Sequence, residues 1–377
     1  MTRRLPSELF AAFRPPPQVR FGTVTSVGTG ICTVRVAGGE IPAVTINSSS
    51  LSVGDFVTVQ RQGAASYVLS APGGAIWLAG WSVAIDNGAG LAYRVTLGGQ
   101  QSYLVLGTVA STLPPQDCAL GADKNVWFTA NLGGVWRVSP KGGVTFFPLP
   151  GSGPTGICAG PDGNLWVADG LGGVWRVGTD GSGVFFPLRG TYLTAFYWIC
   201  AGPDGNLWAT DSGNEAVWRI TTSGDATPFE SPDGLNSGLQ GIARGPLGSV
   251  WVADEYENCL WQVTMAGEFI FHDMSAVAPV ALQNLVEDGS GALWITDHAP
   301  RLIRYVPGSV PESLDLVPGG PAWGICIGSD GNVWAATTGG ETLGVYLYGV
   351  KASGMFAAYE LMQPIGTLIC LGICAGP

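Results

Sequence analysis

GICAGPDGNLWVADGLGGVWRV (156–177) returns with small changes as WICAGPDGNLWATDSGNEAVWRI (198–220). Each copy opens on a short apolar run. A Gly-Pro-Asp-Gly turn follows, in which Pro presets φ and Gly supplies a positive one. An alternating stretch then carries a tryptophan, and a Gly-rich hairpin leads to a second tryptophan. In the first copy this predicts strands at 156–159, 164–168, 174–177 and 184–188. The tryptophan recurs as Trp77, Trp127, Trp166, Trp208, Trp251, Trp294 and Trp334, at spacings of 50, 39, 42, 43, 43 and 40 residues. A period near 42 is too long for a leucine-rich repeat and fits one four-stranded blade of a β-propeller. The fold class is therefore all-β, with a seven-bladed propeller over 73–377.

The ends of the repeat predict how the ring closes. The last residues, GICAGP (372–377), match 156–161 and stop where a DGNLW segment would begin. The first blade starts at GGAIWLAG (73–80) without an inner strand of this type. The C-terminal strand is expected to supply it, which leaves no open sheet edge between first and last blade. The second tryptophans, Trp136, Trp175, Trp218 and Trp261, follow the first by 9 or 10 residues. They are read as facing their partners across the hairpin and packing between blades.

Residues 21–72 read differently: FGTVTSVG, ICTVRVAGG, EIPAVTIN, DFVTVQRQ and ASYVLSAP are five short alternating strands, OB-like by count. Arg35, Arg61, Phe56 and Tyr67 are too few for a nucleic-acid face. Before them, residues 1–20 hold a short apolar helix candidate, PSELFAAF (6–13), and a stiff Pro15-Pro16-Pro17 link, which together suggest an anchor for a partner.

Composition narrows the function. The 377 residues are 46% apolar and 12% charged, with 58 Gly and 26 Pro, and the formal net charge is −11. Turn-dense β composition follows, and a nucleic-acid partner is disfavoured because it would need clustered Lys and Arg. No run approaches the ~20 apolar residues of a membrane span, and no export signal is recognisable. Cys158, Cys200, Cys326 and Cys374 share one slot of the repeat and read as small buried hydrophobes, not as metal ligands or disulfides.

The residue three after the repeat tryptophan is Asp169, Asp211, Asp254 and Asp297 in four successive blades. It admits two readings. Asp accepts backbone N–H bonds in a hairpin loop, or the set forms an acidic arc, with Glu215, Glu255 and Glu257, for a cation or a polyhydroxyl ligand. The candidate ligand-binding residues are Asp211, Asp254, Glu255, Tyr256, Asp297 and His298. No metal site, cofactor or catalytic residue is assigned. Tyr197, Trp198, Trp81 and Trp323 lie off the repeat pattern and read as packing. His272, in FIFHD, falls on an outer strand and reads as solvated.

The repeat GPDGNLWVAD…GGVWRV…FFPL resembles the blade of the virginiamycin B (streptogramin) lyase propellers over about 115–360, and more loosely the NHL propellers. That resemblance implies a Mg²⁺-dependent ring-opening eliminase with a central His base and Glu residues on the metal. The stretches matching the family's His positions are PTGI (154–157), FYWI (196–199), LQGI (239–242) and AWGI (322–325), and none contains His. His298 alone is placed for such a role. The N-terminal stretch, FGTVTSV, TVRVAGG and VGDFVTVQRQG…YVLSAPG, is similar to the barrel modules that open minor tail proteins of siphophages infecting actinobacteria. That resemblance implies a virion component. Residues 1–72 would dock to other tail proteins, and the propeller would meet a host-surface glycan. No nucleic acid and no membrane span are expected, and a homo-oligomer is allowed. The alternatives are a lyase-like or carbohydrate-active enzyme and a bare scaffold.

Overall fold

The computed structural model describes residues 19–27, 31–36, 39–45, 56–62, 65–70, 74–82, 89–97, 101–107, 115–130, 133–188, 196–232, 238–316, 320–337, 345–351, 353–361 and 368–376. The chain divides into two units, Met1–Gly73 and Gly74–Pro377. The helix and linker expected over 6–17 lie outside the described residues, as do the side chains of Arg35, Phe56, Arg61, Tyr67 and Trp81.

In the first unit, strands Val19–Val27, Ile31–Val36, Gly39–Thr45, Phe56–Gln62 and Ala65–Ser70 form a closed barrel. The order around it is first, second, third, fifth, fourth, and the first strand returns to the fourth. The third and fifth strands run parallel, with Val44 opposite Tyr67.

The second unit is seven four-stranded antiparallel sheets, a seven-bladed propeller. In one blade the strands are Pro154–Ala159, Leu165–Asp169, Gly173–Val177 and Gly183–Pro187, from the inner edge outward. Asp162 holds the first turn. Its carboxylate accepts the Asn164 N–H at 3.2 Å, Asn164 Nδ2 at 2.8 Å and Trp166 Nε1 at 3.1 Å. Gly163 takes φ +78°, a region that costs a Cβ-bearing residue energy. Asp123, Asp204 and Asp330 accept from Trp127, Trp208 and Trp334 in the same way. The Asp-Gly-Asn turn, with Lys124 in place of Gly in the blade of Trp127, thus satisfies the polar edge of an indole whose body is buried in the core.

The two tryptophans of a blade do not face each other. Trp166 pairs with Arg176, and Trp175 with Val167, so the two indoles lie on opposite faces of the sheet. The same one-residue offset holds in the blades of Trp127, Trp208 and Trp251. The cause is the loop, which sets Asp169 opposite Gly173 and shifts the pairing by one. Trp166 stacks instead on Phe186 of its outer strand, at 5.5 Å between ring centroids. Arg176 lies over Phe186 at 5.5 Å and donates from Nη1 to the Thr222 carbonyl in the next blade at 3.0 Å. Arg137 and Arg219 repeat this latch onto Thr179 and Met265.

The ring closes as the sequence predicts. Leu368–Gly376 forms the inner edge of the blade made by Ala75–Ser82, Ala89–Thr96 and Gln101–Gly107. Ile373 pairs with Leu78, Cys374 with Trp77 and Ala375 with Ile76. In this blade no covalent turn joins the inner strand to the second, and among the described residues no aspartate accepts from the indole. Trp77 Nε1 is buried without a partner. Trp77→Phe is therefore expected to cost about 0.5–1.5 kcal/mol less than Trp208→Phe, which gives up the indole's hydrogen bond to the Asp204 carboxylate. Denaturant melts of the two variants measure this, and equal losses would refute it.

Candidate functional site

The propeller axis carries a pocket of about 380 Å³, built mostly from the entry points of the inner strands. Each inner strand has one residue paired with the repeat tryptophan: Ala119, Cys158, Cys200, Ala243, Val286 and Cys326 in six successive blades. Counting back two and three residues from it gives Gln116 and Asp117, Thr155 and Gly156, Tyr197 and Trp198, Gln240, Gln283, and Trp323. All of these line the pocket, joined by Glu255 and His298 from the loops between second and third strands. The inner strands crowd together here. A Cβ on Gly156 would lie 2.6 Å from the Tyr197 carbonyl oxygen, and one on Gly241 2.5 Å from that of Gln283. Where glycine yields to Asp117 or Trp198, the side chain fills the hub.

Polar contacts fix several of these groups. Asp117 accepts the Cys118 N–H on one oxygen at 2.8 Å and the Ile157 N–H of the next blade on the other at 3.0 Å. Gln283 Nε2 donates to Glu255 Oε2 at 3.1 Å, again across a blade junction. The His298 ring packs on Trp323 with centroids 4.8 Å apart. Tyr197 leaves 44% of its surface exposed. The pocket thus offers three aromatic faces, three neutral amides, two carboxyls and one imidazole.

Burial pushes the Asp117 carboxyl up to about 7, against the two backbone donors that favour its ionised form. A carboxyl raised above its unfolded value of 3.8 makes ionisation costlier in the folded protein. Its contribution is absent below about pH 4, erodes stability as pH rises from 4 to 7, and is constant above. His272, whose pKa burial lowers from 6.5, acts oppositely, removing stability as pH falls below 6.5. The difference between wild type and Asp117→Asn isolates the carboxyl. Urea melts from pH 4 to 8 should show wild type losing stability relative to the variant across that window. Parallel profiles would contradict the assignment.

Of the candidate ligand-binding residues, Glu255 and His298 reach the pocket, and Tyr197, Trp198 and Trp323, read from the sequence as packing, line it as well. The aspartates do not. Asp211, Asp254 and Asp297 are fully buried, and their oxygens face the loops. Asp254 accepts the N–H groups of Gly238, Tyr256 and Glu257 at 3.0–3.1 Å and Trp261 Nε1 at 3.2 Å. Asp211 accepts from Gly213, Asn214 and Trp218. Asp297 accepts from Val280, Ala299 and the Arg301 guanidinium, the last at 2.8 Å. An acidic arc for a ligand gives way to loop fasteners, because a buried carboxylate needs N–H partners more than an exposed one does. Tyr256 is 68% exposed on the Asp254 loop and does not line the pocket.

His272 is not simply solvated. It takes the place that Phe186 and Phe229 hold against the repeat tryptophan, 4.5 Å from Trp251, and bonds Tyr305 Oη and Gln262 Oε1. Gln116, Asp117, Thr155, Gln240 and Gln283 escaped the sequence reading: Thr155 and Gln240 fall in stretches read for His alone, and the other three lie outside those stretches.

The divalent cation implied by the lyase resemblance needs several hard oxygen donors around one point. Among the described residues no three His, Cys, Asp or Glu side chains gather where one ion could be held. The residues present do not fit that group. Among the described residues no helix is long and apolar enough to cross a membrane.

Comparison with known proteins agrees with this architecture. The fold is similar to virginiamycin B lyase from Staphylococcus aureus, seen in a catalytically inactive form with quinupristin: 22% identity, TM-score 0.60, covering 85% of this chain and 96% of that one. It is similar to a streptogramin B lyase at 20% identity and TM-score 0.61, covering 85% and 94%. It also matches a protein from Lactobacillus plantarum at 13% identity and TM-score 0.61, covering 80% and 98%. No curated protein matches the sequence. The model of the virginiamycin B lyase family matches residues 51–344, most of the chain. The chain belongs to the virginiamycin B lyase family.

Proposed function

We propose that this protein is a non-catalytic component of a phage tail, in which residues 1–72 dock to other tail proteins and the propeller hub binds a host-surface glycan. The observation that carries the binding half is the make-up of the pocket. The negative face of an aromatic ring attracts the weakly positive C–H face of a sugar. Tyr197, Trp198 and Trp323 supply such faces, and Gln116, Gln240 and Gln283 supply paired donors and acceptors for hydroxyls. A volume of about 380 Å³ sits at the small end of ligand sites and suits the end of a glycan.

The tail assignment rests on the similarity of the N-terminal module. Its strand order, with third and fifth strands parallel, supports the OB-like reading of 21–72. A virion location follows from the same reading. Immunogold labelling of purified virions with antibody to the propeller tests it. Label at the tail is expected, and virions free of the protein would overturn the proposal.

A second reading, a ring-opening enzyme of the family type, is favoured by one observation: His298 and Glu255 both line the hub. Incubation with a cyclic streptogramin B and mass analysis separates the two. Intact antibiotic is expected, and a linearised product would establish the enzyme.

A further inference from the structure

The ring is held shut by a strand that only hydrogen bonds and packing attach to the rest of the first blade. Its junction with the next blade differs from the other six. At every junction, the inner-strand residue paired with the repeat tryptophan meets the residue one position earlier on the neighbouring inner strand. Cys158 meets Ile199, Cys200 meets Ile242, and Cys326 meets Ile373. Three further junctions set an Ala or Val against Ile or Leu. Only where the closing strand meets the second blade does a thiol meet a thiol, Cys374 against Cys118. The two cysteines lie in one buried cluster, and the Cys118 thiol donates to the carbonyl of Trp77, Cys374's own ladder partner, at 3.6 Å. Both cysteines are buried and carry free thiols.

We propose that Cys118 and Cys374 are a latent disulfide site, a covalent clasp that ties the closing strand to the second blade under oxidising conditions. The oxidant is a small disulfide such as oxidised glutathione. One protein thiolate attacks a sulfur of that disulfide, forming a mixed disulfide and releasing one small thiol. The second protein thiolate then displaces the other small thiol. Two protein thiols lose two protons and two electrons, and the small disulfide leaves as two thiols. Burial pushes the Cys118 thiol well above the usual cysteine range, so thiolate is scarce in the closed ring. Exchange therefore proceeds from moments when the closing strand lifts. Once formed, the bond forbids that lifting, which is the step that exposes the hub strands.

The test uses the full chain. Reduced protein is incubated with oxidised glutathione in mild urea, the remaining thiols are alkylated, and the digest is mapped by mass. A linked Cys118–Cys374 peptide is expected, with unfolding in denaturant slowed tenfold or more relative to reduced protein. Cys118→Ile, which installs the side chain found at this position in five other blades, should fold and show no oxidant-dependent slowing. Cys374→Ala gives a second variant with the small residue that two other blades use. Full alkylation of both cysteines after oxidation would overturn the proposal, as would undiminished slowing in either variant.

Discussion

Without residues 368–377 the propeller loses its single cooperative unfolding transition. The closing strand pairs with Ala75–Ser82 from Leu368 opposite Ser82 to Gly376 opposite Ala75. Its side chains serve both junctions of the first blade. Ile373 packs with Cys326 and Trp334 of the last blade, and Cys374 packs with Cys118 and Phe128 of the second. Deletion leaves a three-stranded blade with a bare inner edge, and both neighbouring clusters open to water at once. A ring whose two ends no longer meet has no reason to melt as one body. Scanning calorimetry, with far-ultraviolet dichroism and tryptophan fluorescence as separate probes, should show broadened and non-coincident transitions. One sharp transition at the wild-type temperature would contradict the closure described above.

Asp254→Ala is expected to cost roughly 3–5 kcal/mol, because it removes the fully buried acceptor of three backbone N–H groups and of the Trp261 indole N–H. The neighbouring Glu257→Ala should stay within about 0.5 kcal/mol, since its side chain is exposed and its N–H keeps the Asp254 acceptor. Urea melts measure both. The pair also separates the two readings of the repeated aspartate. A loop fastener loses stability and leaves the hub intact, whereas a ligand group would lose binding and melt as wild type.

Most of the architecture was written in the periodicity. The recurring tryptophan marked the blades, and the GICAG echo at the C-terminus marked the closing strand, because both are features the fold must repeat. Errors arose where one residue of register decides the outcome. Spacings of 9 or 10 between Trp166 and Trp175 or Trp208 and Trp218 do not reveal how the hairpin pairs, and the pairing set the indoles on opposite faces. His272 reads in the sequence as a solvated outer-strand residue, yet it holds against Trp251 the place that Phe186 and Phe229 hold in their blades. The site followed the reverse logic. Asp169, Asp211, Asp254 and Asp297 attracted attention by recurring, and recurrence reflects a task every blade shares. The pocket is made where the blades differ, at Gln116, Thr155, Tyr197, Gln240, Gln283 and Trp323, one register position in six blades. Variation inside a strict repeat was the available signal.

Binding at the hub is the centre of this account, and isothermal titration of the full-length protein with purified actinobacterial cell-wall polysaccharide tests it most directly. Saturable binding is predicted, weakened at least tenfold in Trp198→Ala and in Trp323→Ala while both variants retain cooperative melting. Wild-type affinity in both variants, or no binding by the wild-type protein, would contradict it.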